Sequence, residues 1–351
     1  MPHIIMPQIF YFVCRLLAFS AVCLVASAQP KIGYIEVYGV RKIGKEKVLK
    51  TLGVAPGGAL PKSRVDLEEK LEAVDGILLS QVEAYCCDEG QMALYIGIQE
   101  RGTPIFEYRP RPIEELNLPA EVTDAYAEFT TALARAAAAG NLAEDLTSGH
   151  SLMRDPDCRD IQEKFVALTG SYLAELQAVL ARSSDTGQRT TAAYVLGYAA
   201  DKKKVIDDLQ GGLRDQEQDV RLTSARALRA IAVLGRDKSL GITIRATWFV
   251  EMLNSTSLGD RLEGARTLNL MFEELSEGTV LQIKDRALPS LFEMAHWRHL
   301  PHALPAYLLL GRVAAIPEAD MTVAWDEGKR DEMLARIDAA LLPKGKDKKS
   351  K

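Results

Sequence analysis

Three histidines near the C-terminal end of the chain are spaced in a way that suits metal ligands. His296, His299 and His302 follow one another at intervals of three, and residues three apart share one face of a helix. Imidazole nitrogen is a common zinc ligand. However, Pro301 predicts a helix break before His302, and no carboxylate stands at a ligand spacing beside them. A packed helix end is therefore favoured over a metal site, and no cofactor is predicted.

Cysteine chemistry is limited to Cys86, Cys87 and Cys158 once the N-terminal segment is set aside. An odd count allows at most one disulfide, and adjacent cysteines lack the two-residue gap of zinc ribbons. Alternation along a strand predicts that Cys86 faces the core and Cys87 the opposite side. Two alternatives stay open for Cys87: a harmless exposed thiol, or a disulfide with Cys158 or with a partner protein.

Motifs that carry a catalytic mechanism are absent from the sequence. It has no Gly-x-Ser-x-Gly elbow, no phosphate loop ending in Lys-Ser or Lys-Thr, and no His-Glu-x-x-His. His150 lies between Ser148 and Ser151, but neighbours in sequence rarely form a nucleophile–base pair. We therefore predict that the protein is not an enzyme.

The bulk composition excludes several classes of protein. The 351 residues are 47% hydrophobic and 26% charged, with a net charge of −5, so a core can form and no nucleic-acid surface is predicted. The length favours two or three domains. The one dense basic run, 343–351, is predicted to be a disordered tail.

The N-terminus resembles an export signal in its order of residue types. Arg15 precedes the apolar run Leu16–Ala26, and small residues stand just before Gln29. Cleavage between Ala28 and Gln29 would make residues 1–28 a signal peptide. The alternative is an uncleaved anchor over Ile4–Ala28, in which a central Arg15 would be costly. Either way we expect the body to be exported, in the periplasm or cell envelope, with membrane contact only if the segment stays uncut.

Residues 32–100 are predicted to form a compact β-α-α-β-β unit. Alternation around Ile35 and Val37 indicates a strand. A short helix is predicted over Lys45–Leu52, and Ser63 is predicted to be the N-cap of a second helix. Two further alternating runs follow, joined by a hairpin turn at 88–91. The fold class of this part is therefore α+β, with two helices covering one face of a sheet.

The opposite face of this sheet is predicted to display four tyrosines. By strand alternation, Tyr34, Tyr38, Tyr85 and Tyr95 lie on the side away from the helices. Tyrosine is enriched where proteins meet. These four are therefore candidate partner contacts on an exposed surface.

The same region resembles a POTRA domain. The pieces that carry the resemblance are Ile35–Gly39, Leu52-Gly53 followed by Pro56-Gly57, Leu71–Gly76, and Leu94–Glu100. The resemblance implies a periplasmic module that recognises polypeptides by pairing an extended segment with its sheet edge. Only one unit is present and no barrel-like strand series follows, so a transport role is not implied.

The rest of the chain is predicted to be helical. Residues 101–119 contain four prolines and are predicted to form an extended linker. Residues 120–159 are predicted to form a helical connector that includes a helix over Glu121–Gly140. From residue 160 a pattern of three anchor residues recurs, each time at the start of a helix. The anchors are Arg189, Ala193 and Leu196; Arg221, Ala225 and Leu228; Arg261, Ala265 and Leu268; and His302, Ala306 and Leu309.

Each anchor helix follows another amphipathic helix, predicted over Ile161–Leu180, Val205–Leu213, Ile244–Leu253 and Val280–Phe292. Small alanines allow close helix approach, and the repeat lengths suit two-helix solenoids. This half, 160–342, resembles a HEAT-repeat array, which implies an all-α solenoid. In that family an Asp caps the second helix and an Arg packs along the stack; here Asp219 with Arg221, and Asp260 with Arg261, approximate those places.

The function predicted from these features is a non-catalytic adaptor. The solenoid would bind one protein, and the POTRA-like sheet edge would provide a second contact. The alternatives are an enzyme or lyase-like subunit built on HEAT repeats, and a membrane-anchored structural component. The sequence does not identify the partner.

Overall fold

A three-stranded sheet with two helices on one face forms the N-terminal part of the computed structural model, which describes residues 30–88 and 91–341. Ala28, Gln29 and the basic tail 343–351 lie outside the described residues. The elements follow the predicted order: β1 Ile32–Tyr38, α1 Lys45–Leu52, α2 Arg64–Glu72, β2 Ile77–Asp88 and β3 Gln91–Glu100. Strand β3 is central, parallel to β1 and antiparallel to β2.

Local sequence signals explain the ends of the two helices. Gly53 ends α1 in the left-handed region at φ 66°, a conformation that glycine adopts without strain. The Ser63 hydroxyl accepts the N–H of Asp66 and caps α2, as predicted. Between these helices and the sheet lies an apolar core that includes Val37, Leu71 and Ile96.

The predicted inward position of Cys86 is wrong. Its parity partner Val82 is buried, but Ala84 and Cys86 are exposed. Cys86 pairs with Met92 next to the hairpin, beyond the stretch of β2 that α2 contacts at Ser80 and Val82. Alternation identifies the face on which a side chain lies, and burial also requires something to cover that face.

The remainder of the described chain is mostly helical, and no helix in it is long and apolar enough to cross a membrane. A short hairpin with strands of two residues each, β4 Glu144–Asp145 and β5 Leu152–Met153, interrupts the helices. In chain order the helices are α3 Ala120–Ala138, α4 Pro156–Arg182, α5 Thr186–Leu196, α6 Ile206–Gly212, α7 Gln218–Leu234, α8 Thr247–Met252, α9 Leu258–Met271, α10 Glu277–Arg286, α11 Leu288–Ala295, α12 Leu300–Val313, α13 Glu318–Asp326 and α14 Arg330–Leu341.

Helices α4 to α12 pack as successive pairs. Helices α4, α6, α8 and α11 (the first helices) each contact the helix that follows as its partner: α5, α7, α9 and α12 (the second helices). The second helices also contact one another in series. One continuous apolar core runs through these pairs and extends to the tyrosines of the sheet.

Two prolines act differently from the prediction. The single helix expected over Val280–Phe292 is two helices with a break at Ala287, where φ is −119°. Pro289 lacks an N–H and its ring opposes the carbonyl four residues earlier, so α10 cannot continue through it. Pro301, expected to break the helix before His302, instead stands in the first turn of α12, where a missing N–H costs nothing.

Candidate functional site

The tyrosine face of the sheet packs against the helical part of the same chain. Tyr38 and Tyr95 are fully buried, Tyr34 is 6% exposed, and only Tyr85 remains at the surface. The Tyr38 hydroxyl donates to the carbonyl of Thr256 at 2.8 Å. The prediction of an exposed partner surface is therefore wrong for three of the four tyrosines, because the helical part covers the face that their alternation defines.

Histidines from the start of α12 complete this contact. Nδ1 of His302 lies 2.8 Å from the Tyr95 hydroxyl, and the Tyr85 ring stands edge-on to His302 with centroids 4.4 Å apart. The His299 ring also stands edge-on to His302, with centroids 4.2 Å apart. Burial, together with the charges of His299 and Arg266, lowers the pKa of His302 to about 4, so the ring is neutral at physiological pH.

The histidine spacing does not create a metal site in the part of the chain that the structure describes. No group of three His, Cys, Asp or Glu side chains suited to a metal occurs there. His296 points away to solvent, and its Nδ1 faces the carbonyl of Phe292. The cluster serves aromatic packing between the sheet and α12.

Strand β2 crosses the N-terminal ends of two second helices. Gln81 donates to Gln218 at the start of α7 at 3.0 Å. The Glu83 carboxylate accepts the N–H of Leu258 at the start of α9 at 2.7 Å, where the helix dipole favours negative charge. A Cβ placed on Gly97 would lie 1.9 Å from the Thr256 carbonyl oxygen, so the backbones of β3 and this turn touch directly.

The twelve predicted repeat anchors are all buried. The alanines and leucines fill the contacts between neighbouring helices, and the three arginines form a row along the turns between first and second helices. At the first position, Arg189 binds both oxygens of Asp215, each at 2.9 Å. Arg109 reaches the same carboxylate from the linker at 2.5 Å. Burial by itself raises the pKa of Asp215, but hydrogen bonds from Arg189 and Arg109 lower it below its usual value.

The second arginine repeats this arrangement. Arg221 binds Asp260 through Nε and Nη2, with Oδ2 2.9 Å from each, and its guanidinium stacks 4.8 Å from the ring centre of Tyr108 in the linker. Asp219, which the sequence placed beside Arg221 in this role, stays exposed on α7. The buried partner comes from the next helix pair, which sequence spacing alone did not identify.

The third arginine is shared with the sheet. Arg261 lies 4.5 Å from the ring centre of Tyr38 and contacts Glu293 Oε2 through Nη1 at a longer 3.4 Å. Glu293 also accepts the N–H of Gly39 at 3.1 Å and pairs with the Arg41 guanidinium. The pair of Glu293 and Arg41 carried no sequence signal, because 252 positions separate the two residues.

The linker also follows these turns. Residues 101–119 form no helix, and Phe106 and Leu118 are buried. The N–H of Arg109 donates to the Arg214 carbonyl at 2.7 Å. Further along, the Glu114 carbonyl accepts the N–H of Ser184 at 2.7 Å. The sheet and linker together thus cover the turns between first and second helices along the row of pairs.

The side of the second helices that carries Arg229, Glu263 and Arg266 (the second-helix face) is mostly half-buried, and Arg266 is its exposed residue. Its polar side chains link neighbouring helices: Arg229 pairs with Glu263 at 3.0 Å, and Arg266 reaches the same carboxylate at 3.0 Å. Asn269 donates to the Pro305 carbonyl on α12 at 2.6 Å. This face is polar and cross-linked by charges.

The outer edge of β2 adjoins the second-helix face. Its first half is covered, because Glu72 and Glu68 accept the N–H groups of Ser80 and Val82, both at 2.8 Å. The N–H of Ala84 points the same way, since alternate residues of a strand share an edge, and Ala84 is exposed. The uncovered end of the edge thus lies beside Tyr85, which contacts His299 and His302 of α12.

A buried lysine was not expected from the sequence. Lys202 is 5% exposed and has no carboxylate partner among the described residues. Its Nζ donates to the Gly197 carbonyl at 2.7 Å and lies 3.3 Å from Nδ1 of His150. Burial lowers the pKa of Lys202 to about 8, and burial with the lysine charge lowers that of His150 to about 4. His150 therefore faces a lysine, and Ser151 donates to Glu144.

The two cysteine side chains that the structure describes, Cys86 and Cys158, are in different states. Cys158 is a buried free thiol, so the pairing of Cys87 with Cys158 is wrong. Cys86 is disulfide-bonded, and its partner lies outside the described side chains.

Comparison with known proteins adds no relative. No protein-family model, no curated protein and no solved structure matches the chain. The resemblances to POTRA and HEAT units therefore stand on the residues that carry them.

Proposed function

We propose that the protein is an exported, non-catalytic adaptor of the bacterial cell envelope that binds other proteins. In this proposal the sheet unit is POTRA-like and the helix pairs are a HEAT-type solenoid. The export signal around Leu16–Ala26 supports the location. The partner is a protein, with no nucleic acid involved.

One observation carries the proposal: an exposed end of a sheet edge belongs to the strand that meets the N-terminal ends of two second helices. Sheet and linker occupy the turns between first and second helices, through contacts such as Arg109 with Asp215 and Tyr38 with Thr256. Arg266 is exposed on the second-helix face, and β2, which is exposed at Ala84, contacts the starts of α7 and α9. A partner that adds a strand at Ala84 would therefore also reach α12 and α9.

The arrangement changes the expected binding mode from two separate contacts to one. A sheet edge supplies backbone hydrogen bonds without sequence specificity, and an adjoining face supplies the side chains that select the partner. Arg266 is the exposed charged residue of that face and is best placed to select by charge.

Site-specific photo-crosslinking in cells tests the proposal. A photoreactive amino acid is placed at Ala84, at Arg266, and at Lys50 as a control exposed on α1. We expect Ala84 and Arg266 to capture the same envelope protein, and Lys50 not to capture it. Crosslinks at neither position above the Lys50 background would overturn the adaptor function, and different partners at the two positions would overturn the single binding mode.

Point positions are preferable to deletion of residues 32–100. Deletion would uncover Trp297 and His302, which are buried against the sheet, and would remove Arg41 from Glu293. Loss of a partner in a deletion variant would then report loss of folding as well as loss of a contact.

A further inference from the structure

A small cavity lies at the third arginine, between the sheet and the helices. Its volume is about 20 Å3, and its polar lining includes Arg41, Gln99, Thr103, Asn254, Arg261 and Ser290. A space of this size holds one small ion or a water molecule. The lining comes from both parts of the chain, so whatever fills the cavity bridges them.

Arg261 lacks the aspartate that each of the two preceding arginines binds through two nitrogens. Arg189 and Arg221 each bind an aspartate through two nitrogens at 2.9 to 3.1 Å. Arg261 donates through Nε to the Ser255 carbonyl at 2.6 Å and through Nη1 to Glu293 at 3.4 Å. Its Nη2 makes no hydrogen bond to any described residue. The third guanidinium is thus bound less completely than the other two, although it is 1% exposed.

A second unpaired donor belongs to the same cavity. Asn254 is 8% exposed, and its Oδ1 accepts the Ser290 hydroxyl at 2.8 Å, which fixes the orientation of the amide. Its Nδ2 is then a buried donor with no partner among the described residues. An unmade hydrogen bond at a buried amide costs about 1 to 3 kcal/mol, so an acceptor is expected there.

The local charge is positive. Arg41 and Arg261 share one carboxylate, Glu293, which leaves one positive charge in excess between a buried and an exposed guanidinium. Burial lowers the pKa of Arg261, and the charge of Glu293 opposes that shift.

We infer that a chloride-sized inorganic anion binds in this cavity, accepting hydrogen bonds from Asn254 Nδ2 and Arg261 Nη2. It takes the place that an aspartate side chain has at Arg189 and Arg221. The cavity is too small for phosphate or a carboxylic acid. A water molecule would satisfy the donors but would leave the excess charge unbalanced. The site is independent of the adaptor function.

Thermal unfolding of the full-length protein tests the inference. The midpoint is measured in potassium chloride and in potassium gluconate at equal ionic strength, since gluconate exceeds the cavity. A ligand that binds only the folded state raises the midpoint as its concentration passes the Kd. We expect a saturable rise with chloride in the wild type.

Two variants carry the same change of charge. Asn254→Asp supplies a carboxylate beside Arg261 and is expected to abolish the chloride effect. Asn117→Asp, at an exposed linker position, is expected to retain it. A chloride effect that persists in Asn254→Asp would overturn the inference.

Crystals of the wild type soaked in bromide give a measurement that needs no variant. An anomalous peak within hydrogen-bonding distance of Asn254 and Arg261 is the expected result. Absence of that peak means that water fills the cavity and overturns the inference, even if chloride stabilises the protein by binding elsewhere.

Discussion

The Tyr95 hydroxyl and Nδ1 of His302 are joined by a buried contact of 2.8 Å that spans 207 positions of sequence. His302 occupies the position at which the first three helix pairs have an arginine. Among the helix pairs, it is the fourth that contacts the sheet through a histidine at this position. A titratable ring therefore lies at the centre of the contact between the sheet and the helices.

Acid is expected to destabilise the folded protein through this ring. The unfolded chain protonates His302 below about pH 6.5, whereas the folded chain does so only near pH 4. The folded state is therefore favoured fully above pH 6.5 and loses stability as the pH falls towards 4, by about 2 kcal/mol at pH 5. Urea unfolding of the wild type and His302→Gln at pH 7.5 and pH 5 measures this loss.

The variant His302→Gln keeps an acceptor for Tyr95 but cannot titrate in this range. Its stability should fall by about 2 kcal/mol less than that of the wild type between the two pH values. His296→Gln, at an exposed position, should behave as the wild type. Equal losses in all three proteins would contradict the role of His302.

Gly97→Ala is expected to separate the sheet from the turn at Thr256. The added methyl group would lie 1.9 Å from a backbone oxygen, and backbone on both sides must move, at a cost of about 1 to 3 kcal/mol or more. Gly170→Ala is the matched control, because nothing lies within 4 Å of its Cβ; in helix α4 it should stabilise by about 0.5 to 1 kcal/mol. Thermal unfolding of both variants measures these changes in stability. An unchanged stability of Gly97→Ala would show that the two parts are not in direct contact.

Asp215→Asn is expected to destabilise the helical part strongly. The change leaves Arg189 and Arg109 around a neutral amide, and breaking a buried ion pair from one side costs about 3 to 5 kcal/mol. Glu217→Gln removes the partner of Arg111 at the surface and should cost less than about 1 kcal/mol. The losses of unfolding free energy in the two variants, measured with denaturant, should differ by several-fold. Similar small losses would mean that the row of buried pairs contributes little to stability.

Lys202 is expected to weaken the fold at neutral pH and less so in alkali. The folded chain releases its proton near pH 8 and the unfolded chain near 10.5, so stability rises with pH between these values, by about 2 kcal/mol from pH 7 to pH 9.5. Lys202→Met removes the charge and should lack this rise. Unfolding free energies of both proteins at the two pH values test it, and parallel curves would show that the buried amine is not desolvated.

Short-range patterns in the sequence predict much of the architecture. The order β-α-α-β-β, the cap at Ser63 and the burial of Arg189, Arg221 and Arg261 follow from alternation, turn residues and helical spacing, because these are local properties of the chain. Each of them is visible within a few residues.

Long-range contacts account for what the sequence could not predict. The parity of the four tyrosines identified a shared face, but the helices that cover it come from residues about 200 positions later. Asp215 and Glu293 became partners of the arginines only through packing between successive pairs. Lys202 gave no signal, since a lysine in a polar stretch is ordinarily exposed.

Docking of the sheet depends on residues near the end of the chain. Tyr38 meets Thr256, and Glu36 accepts the N–H of Arg298 from 262 positions away. Synthesis begins at the N-terminus, so the sheet is made early, and its aromatic face is not fully covered until Thr256, Trp297 and His302 have been made. A chain that stops before Thr256 would present Tyr34, Tyr38 and Tyr95 to solvent, and the covered sheet thereby marks a molecule in which both parts have been made.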